Sequence, residues 1–418
     1  MMGDKRVIII GGGVIGLCSA YYLSKKGFEV TVIEKGDGTD GCSYGNAGMV
    51  VPSHFIPLAA PGMIALGIKW LFNAESPFYI KPRFNRDLFS WGWKFYKAAT
   101  KSKVEKAMPV LRDLNLMSRE LYDELAREED LQFAFQKKGL FMYCKTEHAF
   151  EEESALAKKA NKLGVKAEIL SQQEAQSLDP SLQLDIAGAV YFPNDAFMTP
   201  HLFMERLQKK LEALGVNFRF NTLLKSINTS NNQINAVVVG NEELVADKYV
   251  IALGSWSSDL LKQINMDLPM QAGKGYSVVL PDPVSKPEIC SILTEARVAV
   301  TPMTHGLRFA GTMEITGLDE SINHRRLQGI FKSIPKYFPE FKKEDFTELQ
   351  VWSGLRPCSP DGLPYIGKSD VYKNLIIATG HAMMGLSLGP VTGKLVSQIM
   401  TEDKTSLDIS LLDPNRYN

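Results

Sequence analysis

Residues 6–34 contain the pattern that most restricts how this chain can fold. An apolar, β-branched run at 7–10 leads into three consecutive glycines, and the segment 14–26 then has the pattern of a helix that stops at Gly27. The segment 29–33 returns as a second strand pattern. A strand, a tight glycine turn, a helix and a strand in this order predict a βαβ unit, and therefore the start of a parallel sheet.

The glycine turn has the spacing that dinucleotide-binding folds use. Gly11, Gly13 and Gly16 fit the GxGxxG pattern. The first glycine permits the turn, the second lets a pyrophosphate approach the backbone, and the third lets helix and strand pack closely. Glu34 ends the following strand, where its carboxylate can accept hydrogen bonds from ribose hydroxyls. The segment therefore predicts dinucleotide binding, with NAD and FAD both open at this point.

Composition and cysteine spacing argue against several other classes of function. Lysine plus arginine and aspartate plus glutamate are balanced at 47 each, so no net field attracts nucleic acid. The five cysteines are scattered and form no CxxC pair, which favours a reducing, cytoplasmic compartment over a disulfide framework or a zinc site. Only five residues precede the first predicted strand, so we expect no signal peptide. We expect no nucleic-acid partner and no metal.

The length and the order of patterns indicate two domains. The chain has 418 residues, more than one ordinary domain. Long amphipathic helix patterns at 104–128 and 148–163 interrupt the α/β pattern, and 270–315 has the β-branched composition of an antiparallel sheet. The dinucleotide-binding domain is predicted to take residues 1–88, 193–264 and 345–418, and a second domain residues 89–192 and 265–344.

The most apolar long stretch is the segment 58–72, with the sequence LAAPGMIALGIKWLF. Pro61 and Lys69 interrupt it, and it is shorter than the ~18 to 20 residues that a membrane-spanning helix needs. We predict either a buried or lid-forming segment or a shallow, peripheral contact with a membrane. The second alternative places the chain on the inner face of the cytoplasmic membrane.

Six segments together resemble one enzyme family. They are GGGVIG at 11–16, SYGNAGMV at 43–50, AAPGMIALGIKWL at 59–71, GKGYS at 273–277, WSGLRPCSPDGLPYIG at 352–367 and TGHAMMGLSLGP at 379–390. The combination is similar, nearly from end to end, to D-amino-acid dehydrogenases of the small-subunit type, within the FAD-dependent D-amino acid oxidase and glycine oxidase superfamily. The resemblance implies an α/β fold in which a Rossmann-like FAD-binding domain is interleaved with an α+β substrate domain built on an antiparallel sheet.

The resemblance also assigns substrate-site residues. Arg356 is expected to bind the substrate carboxylate, and a planar guanidinium suits this task because it can form two parallel hydrogen bonds. A structural ion pair with Asp361 is the alternative. Tyr276 is expected to line the pocket and donate its hydroxyl to the substrate, or else to be merely buried. His381 is expected beside the flavin, or else as a hydrogen-bonded structural histidine.

The cofactor that the resemblance implies is FAD, held without a covalent bond, since Cys358 does not match the patterns of covalent flavoproteins. The positive end of the last helix is expected to face the flavin ring. The predicted cofactor-binding residues are Gly11, Gly13, Val14, Ile15, Gly16, Glu34, Lys35, Ser43, Asn46, Ala47, Gly48, Leu224, Gly254, Trp256, Gly354, Gly380, Gly385, Leu386 and Ser387.

The implied reaction is the oxidative deamination of a D-amino acid. Hydride leaves Cα for flavin N5, the imino acid is hydrolysed to a 2-oxo acid and ammonia, and a quinone or carrier accepts the electrons. In glycine oxidases the loop at 380–385 resembles the pattern GHxRNG and offers an arginine where this chain has Met383. The difference favours a substrate with an apolar or ring-shaped side chain. The alternatives are an oxidase that uses O₂, a dehydrogenase for D-hydroxyproline or another secondary amine, and a flavin-binding subunit of a larger dehydrogenase. Oligomeric assembly stays open.

Overall fold

The computed structural model describes residues 5–39, 41–63, 65, 67 and 76–418. Residues 64, 66 and 68–72 of the apolar segment lie outside the described residues. Within the described ranges, no helix is both long enough and apolar enough to cross a membrane.

The described residues form an alternating series of helices and strands. The helices are α1 (Val14–Lys25), α2 (Arg86–Ala98), α3 (Lys101–Leu125), α4 (Glu147–Lys162), α5 (Gln172–Leu178), α6 (Pro200–Ala213), α7 (Ser257–Lys262), α8 (His324–Tyr337) and α9 (Gly389–Met400). The strands are β1 (Arg6–Ile10), β2 (Glu29–Ile33), β3 (Met49–Val50), β4 (Phe78–Ile80), β5 (Leu140–Cys144), β6 (Glu168–Ser171), β7 (Gly188–Phe192), β8 (Ala196–Phe197), β9 (Asn217–Arg219), β10 (Leu224–Ser230), β11 (Gln233–Val239), β12 (Glu242–Leu244), β13 (Lys248–Ile251), β14 (Gln271–Leu280), β15 (Cys290–Leu293), β16 (Val298–Pro302), β17 (Leu307–Ile315), β18 (Val351–Cys358), β19 (Tyr365–Lys368) and β20 (Leu375–Thr379).

One sheet has the parallel arrangement that the βαβ pattern predicts. Its six strands lie in the order β19–β20–β13–β1–β2–β9, and every neighbouring pair except β19–β20 is parallel. Alternate residues of β1 enter two different cores: Val7 and Ile9 face α1, α3, α6 and α9, whereas Ile8 and Ile10 face the opposite side. Burial of both faces is typical of a parallel sheet that is covered on each side.

The second large sheet is mainly antiparallel. Its strands follow the order β18–β14–β17–β16–β15–β5–β7–β6, with β4 added beside β17. Among the described strands of this second sheet, only the pairs β5–β15 and β4–β17 are parallel. One face of this sheet is covered by α8, where rings such as Phe331 and Phe346 stack 5.1 Å apart between their centroids. On the other face, Met142 and Val190 pack in one apolar cluster with Ala157 and Ala160 of α4.

The two sheets together confirm the predicted fold class, an α/β dinucleotide-binding sheet combined with a largely antiparallel second sheet. Two strands belong to a different sheet from the one that the predicted domain bounds imply. The segments 1–88 and 345–418 contain β4 and β18, but both strands pair within the antiparallel sheet. Local patterning indicates that a strand exists, but it does not indicate the sheet that the strand joins.

Candidate active site

A cavity of about 660 Å³ lies between the two sheets and is lined by both. It extends from the glycine turn after β1, past the loop before α9, to the face of the antiparallel sheet that is opposite α8. A continuous row of paired residues crosses that face, in the order Met142, Ile292, Ala299, Ala310, Ser277 and Trp352. All of them except Ser277 line the cavity and form its floor. An elongated cavity of this kind suits a dinucleotide whose ring system ends over the floor.

The glycine turn is built closely around Glu34. One Glu34 carboxylate oxygen accepts the Gly12 N–H at 2.7 Å, and the other accepts the Gly36 N–H at 3.1 Å. An ideal Cβ at Gly16 would lie 1.9 Å from the carbonyl oxygen of Gly11, so only glycine permits this contact of helix and strand. Ser43 accepts the N–H of Val14 at 3.0 Å and ties the next loop to the turn. These contacts leave the turn open toward the cavity.

Most of the residues predicted to hold the cofactor line this one cavity. They are Gly11, Gly13, Val14, Ile15, Glu34, Lys35, Ser43, Asn46, Ala47, Leu224, Gly254, Trp256, Gly354, Gly385, Leu386 and Ser387. The remaining three, Gly16, Gly48 and Gly380, do not line it; Gly16 is a packing position, and the other two lie at turns with positive φ. Lys35 lies 3.6 Å over the ring of Trp256, at the end of the cavity near Glu34.

Arg356 is half-buried in β18 and faces the cavity. Its Nη1 donates to the carbonyl oxygen of Thr312 at 2.7 Å, and its guanidinium lies over Gly275, where an ideal Cβ would be 2.1 Å from Nη1. No carboxylate among the described residues forms an ion pair with it. Asp361, the alternative partner, is instead held by Arg416 at 2.8 and 3.0 Å. Burial lowers the pKa of Arg356 below its ordinary value. The site therefore holds a cation whose charge no described side chain balances.

Tyr276 lines the cavity, but its hydroxyl is engaged elsewhere. It donates to Glu314 Oε1 at 2.5 Å and accepts the N–H of Asn323 at 2.9 Å. Glu314 in turn lies 3.6 Å from the buried Arg326. Burial raises the pKa of Tyr276. With its single proton donated to Glu314, this hydroxyl has none to donate to a substrate.

His381 also lines the cavity and is almost fully buried. Its Nε2 lies 2.9 Å from Thr392 Oγ1 in α9, and its Nδ1 has no hydrogen-bond partner among the described residues. Burial lowers the pKa of the ring to about 3, so the ring is neutral at physiological pH. A neutral ring anchored to α9 can position the loop before this helix, but it does not supply a positive charge.

The loop before α9 is held from behind by polar groups of α3. Tyr122 donates its hydroxyl to the carbonyl oxygen of Leu386 at 2.5 Å, and Ser118 donates to that of Ser387 at 2.6 Å. Ser387 Oγ donates to Asn115 at 2.9 Å and accepts the N–H of Val51. All of these side chains are buried. The loop therefore presents a fixed backbone to the cavity, as preorganised cofactor binding requires.

Sequence reasoning missed three residues that line the cavity. Trp352 lies within a segment that resembles the family, but the sequence alone assigns it no role; its ring packs on the backbones of Gly45 and Gly354. His54 lies four residues after the end of the SYGNAGMV run, a position that could have drawn attention to it. Arg297 lies in the turn before β16 with a φ of 55°, and no local pattern indicates that this turn reaches the site.

Comparisons with known proteins agree with this geometry. The chain is 33% identical over 418 residues to the D-amino acid dehydrogenase of Vibrio atlanticus (strain LGP32), covering 99% of this chain and 100% of that protein. It is 32% identical to the D-amino acid dehydrogenase of Bradyrhizobium diazoefficiens, covering 99% of both chains. The crystal structure of glycine oxidase from Geobacillus kaustophilus superposes with a TM-score of 0.79 at 23% identity, covering 99% of both chains.

A second solved structure, L-proline dehydrogenase from P. horikoshii, superposes with a TM-score of 0.75 at 21% identity, covering 99% of this chain and 98% of that one. At this identity the two superpositions show the fold alone. The family model described as FAD dependent oxidoreductase (DAO) matches residues 6–399, which span both sheets and the whole cavity. The chain therefore belongs to the DAO family of FAD-dependent oxidoreductases.

Proposed function

We propose that this protein is an FAD-dependent D-amino-acid dehydrogenase. Hydride leaves Cα of a D-amino acid, and the resulting imino acid is hydrolysed to a 2-oxo acid and ammonia. The observation that carries the proposal is Arg356, a cation that faces the cavity and that no described carboxylate neutralises. An amine without a carboxylate would leave this charge unbalanced, whereas an amino acid supplies the missing anion.

The protein's own residues orient the substrate. When FAD is bound, it supplies the two-electron acceptor, and the glycine turn with Glu34 and the loop before α9 are the parts of the chain that would hold it. Arg356 would hold the substrate carboxylate, with Thr312 keeping the guanidinium fixed. The apolar floor, including Ile292 and Ala299, excludes water from the reacting bond. Cys358 is buried beside Trp91 in a separate apolar core, which supports non-covalent binding of FAD.

The substrate side chain is proposed to be apolar or ring-shaped. Met383 and Met384 line the cavity, in the loop whose counterpart in glycine oxidases resembles GHxRNG. Met49 and Met142 line the cavity as well. Methionine side chains adapt to apolar groups of different shape. D-Hydroxyproline or another secondary amine is the alternative substrate class. A role only as a flavin-binding subunit is less well supported, because Arg356 and the floor are both present.

The electron acceptor is proposed to be a membrane quinone, reached by peripheral docking of α2. Phe84, Phe89, Trp93 and Tyr96 are all exposed, and the last three recur on one face of α2. They are the only large aromatic side chains that are exposed in the described part of the chain. Residues 81–106 contain eight lysines and arginines but two acidic residues. Exposed aromatic rings beside basic residues suit an anionic membrane surface.

The opposite face of α2 connects this docking surface to the site. The buried Trp91 donates its indole N–H to the carbonyl oxygen of Cys358 at 2.9 Å, two residues from Arg356 in β18. Docking through α2 would therefore hold the cavity close to the membrane. The apolar segment 58–72, in which the sequence also suggests membrane contact, lies partly outside the described residues.

A substrate panel tests the proposed function. FAD-loaded protein is mixed without O₂ with D-amino acids, their L-enantiomers, D-hydroxyproline and amines that lack a carboxylate, and the loss of oxidised-flavin absorbance is followed. We expect rapid bleaching by D-amino acids with apolar or cyclic side chains. Bleaching by the free amines alone would contradict the proposal. Repeating the positive reactions with a quinone analogue or with O₂ distinguishes a dehydrogenase from an oxidase.

A further inference from the structure

The cavity contains a histidine to which the proposed reaction assigns no role. His54 lies in the loop after β3 and lines the cavity, as do the apolar residues Met49 and Met142. The pairing of β3 with β8 brings this loop against Asp195, the residue that precedes β8. A hydrogen-bonded chain results, because Ser53 Oγ lies 3.0 Å from His54 Nδ1 and 2.5 Å from Asp195 Oδ2.

The donors and acceptors in this chain determine where the imidazole proton lies. Asp195 Oδ1 accepts the backbone N–H of Ser53 at 3.1 Å, so Oδ2 is the oxygen that faces the serine hydroxyl. When Asp195 is ionised, Ser53 donates its single proton to Oδ2 and accepts one from His54 Nδ1. Nε2 of His54 then carries a lone pair, and no described residue donates a hydrogen bond to it. The ring therefore offers the cavity an acceptor.

We propose that His54, Ser53 and Asp195 form a proton relay that removes the proton of the substrate ammonium group before hydride transfer. An N–H bond of the ammonium breaks and one forms at His54 Nε2, while the Nδ1 proton moves to Ser53 Oγ and the Ser53 proton moves to Asp195 Oδ2. The products are a neutral amine, a neutral imidazole and a neutral carboxylic acid, and nothing is oxidised or reduced. The relay rests on the proposed amino-acid oxidation. His54 would contact the substrate, whereas Ser53 and Asp195 act through it.

Burial of Asp195, the inner end of the hydrogen-bonded chain, favours proton transfer from the substrate toward this carboxylate. Asp195 is completely buried, and desolvation raises the pKa of its carboxyl to about 7, although its hydrogen bonds with Ser53 oppose the shift. Burial and then the charge of Arg297 lower the pKa of His54 to about 4. A proton that arrives at Nε2 is therefore passed on rather than stored as an imidazolium. The other charged or titratable groups that act on or respond to Asp195 are Arg119, Tyr191 and Cys290.

The first test needs no substrate. Nitrogen-15 NMR of the histidine rings in the FAD-loaded protein is recorded from pH 5 to 9, and His54→Gln identifies the His54 signals. We expect a neutral His54 ring throughout, with its proton on Nδ1 above about pH 7 and on Nε2 below, because protonated Asp195 must donate to Ser53. Asp195→Asn should abolish this switch, and the exposed His148→Gln should leave it unchanged. A tautomer that does not change with pH would overturn the relay.

The second test separates the relay from the proposed function. Single-turnover flavin reduction by a D-amino acid is measured against pH in the wild type, His54→Gln, Ser53→Ala and Asp195→Asn. General acid–base catalysis contributes roughly 100-fold or more, so we expect each variant to lose about 100-fold at pH 8, with a smaller loss where the substrate amine is already neutral. If the pH profiles of flavin reduction in all three variants match that of the wild type, the relay is overturned but the proposed function is not. Absence of reduction in the wild type would contradict the proposed function, and the NMR switch would still decide the relay.

Discussion

Arg356 is fixed on one side and open on the other. Thr312 holds Nη1, the backbone of Gly275 lies against the guanidinium, and Asp361 is engaged by Arg416. The cation therefore points into the cavity without an internal counterion among the described residues. Such a geometry favours bidentate capture of a carboxylate, which fixes the direction of the Cα–H bond as well as the position of the charge.

We expect Arg356→Ala to lower kcat/KM for D-amino acids by at least about 100-fold. A charge-assisted hydrogen bond contributes ~1.5 to 3 kcal/mol, and misorientation of the Cα–H bond lowers the rate constant further at ~1.4 kcal/mol per decade. Arg356→Lys should recover only part of the loss, because the charge returns without the fork. Steady-state kinetics with a dye acceptor measures this. Near-normal activity in an FAD-loaded Arg356→Ala protein would show that the carboxylate is bound elsewhere.

Gly275→Ala should reproduce part of this effect without removing the charge. The new methyl group would lie 2.1 Å from the Arg356 guanidinium, whose flexible side chain must then move. We expect KM to rise about tenfold while FAD content and Tm stay close to those of the wild type, since ~1.4 kcal/mol of lost binding corresponds to one decade. Flavin absorbance and substrate titration measure both. A lower FAD content with unchanged KM would contradict this role of Gly275.

Asp195→Asn should change how stability depends on pH. The pKa of Asp195 is about 7 in the folded protein, above its ordinary value, so the folded state holds this proton more tightly than the unfolded chain. The wild type therefore loses stability as pH rises toward 7, and asparagine removes that loss. The unfolding free energy of the variant minus that of the wild type should therefore rise by roughly 2 to 3 kcal/mol from pH 5 to pH 8, at ~1.4 kcal/mol per pKa unit. Parallel denaturant titrations at both pH values check the shift, and a constant difference would argue against it.

Helix α2 has two different faces, and the exposed one is the proposed docking surface. Asn85 caps it by accepting the N–H of Asp87 at 2.7 Å. Trp91 anchors the buried face to Cys358, while Trp93 and Tyr96 stack 5.7 Å apart on the exposed face. The exposed rings contribute little to the fold, so their substitution can test docking without unfolding the helix.

The double variant Trp93→Asp, Tyr96→Asp should lose binding to vesicles that contain phosphatidylglycerol. Two rings leave the interface and two negative charges enter it, so we expect at least a tenfold weaker partition at low salt. Co-sedimentation measures the partition. Leu214→Asp with Val245→Asp provides the matched control, because both side chains are exposed but lie outside α2. Equal partition of the two double variants would mean that α2 is not the docking surface, and binding to a protein instead would show a different partner.

Across the whole molecule, the sequence predicts the chemistry of short segments better than their arrangement. The spacing of Gly11, Gly13 and Gly16 requires a particular turn, so its role follows from sterics alone. Tyr276 differs, because its hydroxyl is engaged by Glu314, a residue of another strand whose pairing no local pattern specifies. His54 and Asp195 lie 141 positions apart, and only the pairing of β3 with β8 brings them together. Long-range contacts of this kind depend on sheet topology, which a single sequence does not reveal.

The order in which the strands enter the two large sheets limits how this protein can be divided. From β1 to β20 the chain passes from the parallel sheet to the antiparallel one at β4, back at β9, across again at β14 and back at β19. A hybrid that takes the whole antiparallel sheet from a relative therefore needs four junctions, each placed between strands of different sheets. A single crossover would leave at least one sheet with strands from two parents that must pair in register. Recombination at one point is consequently a poor route to altered substrate preference in this fold, whereas substitutions along the cavity floor leave every strand pairing intact.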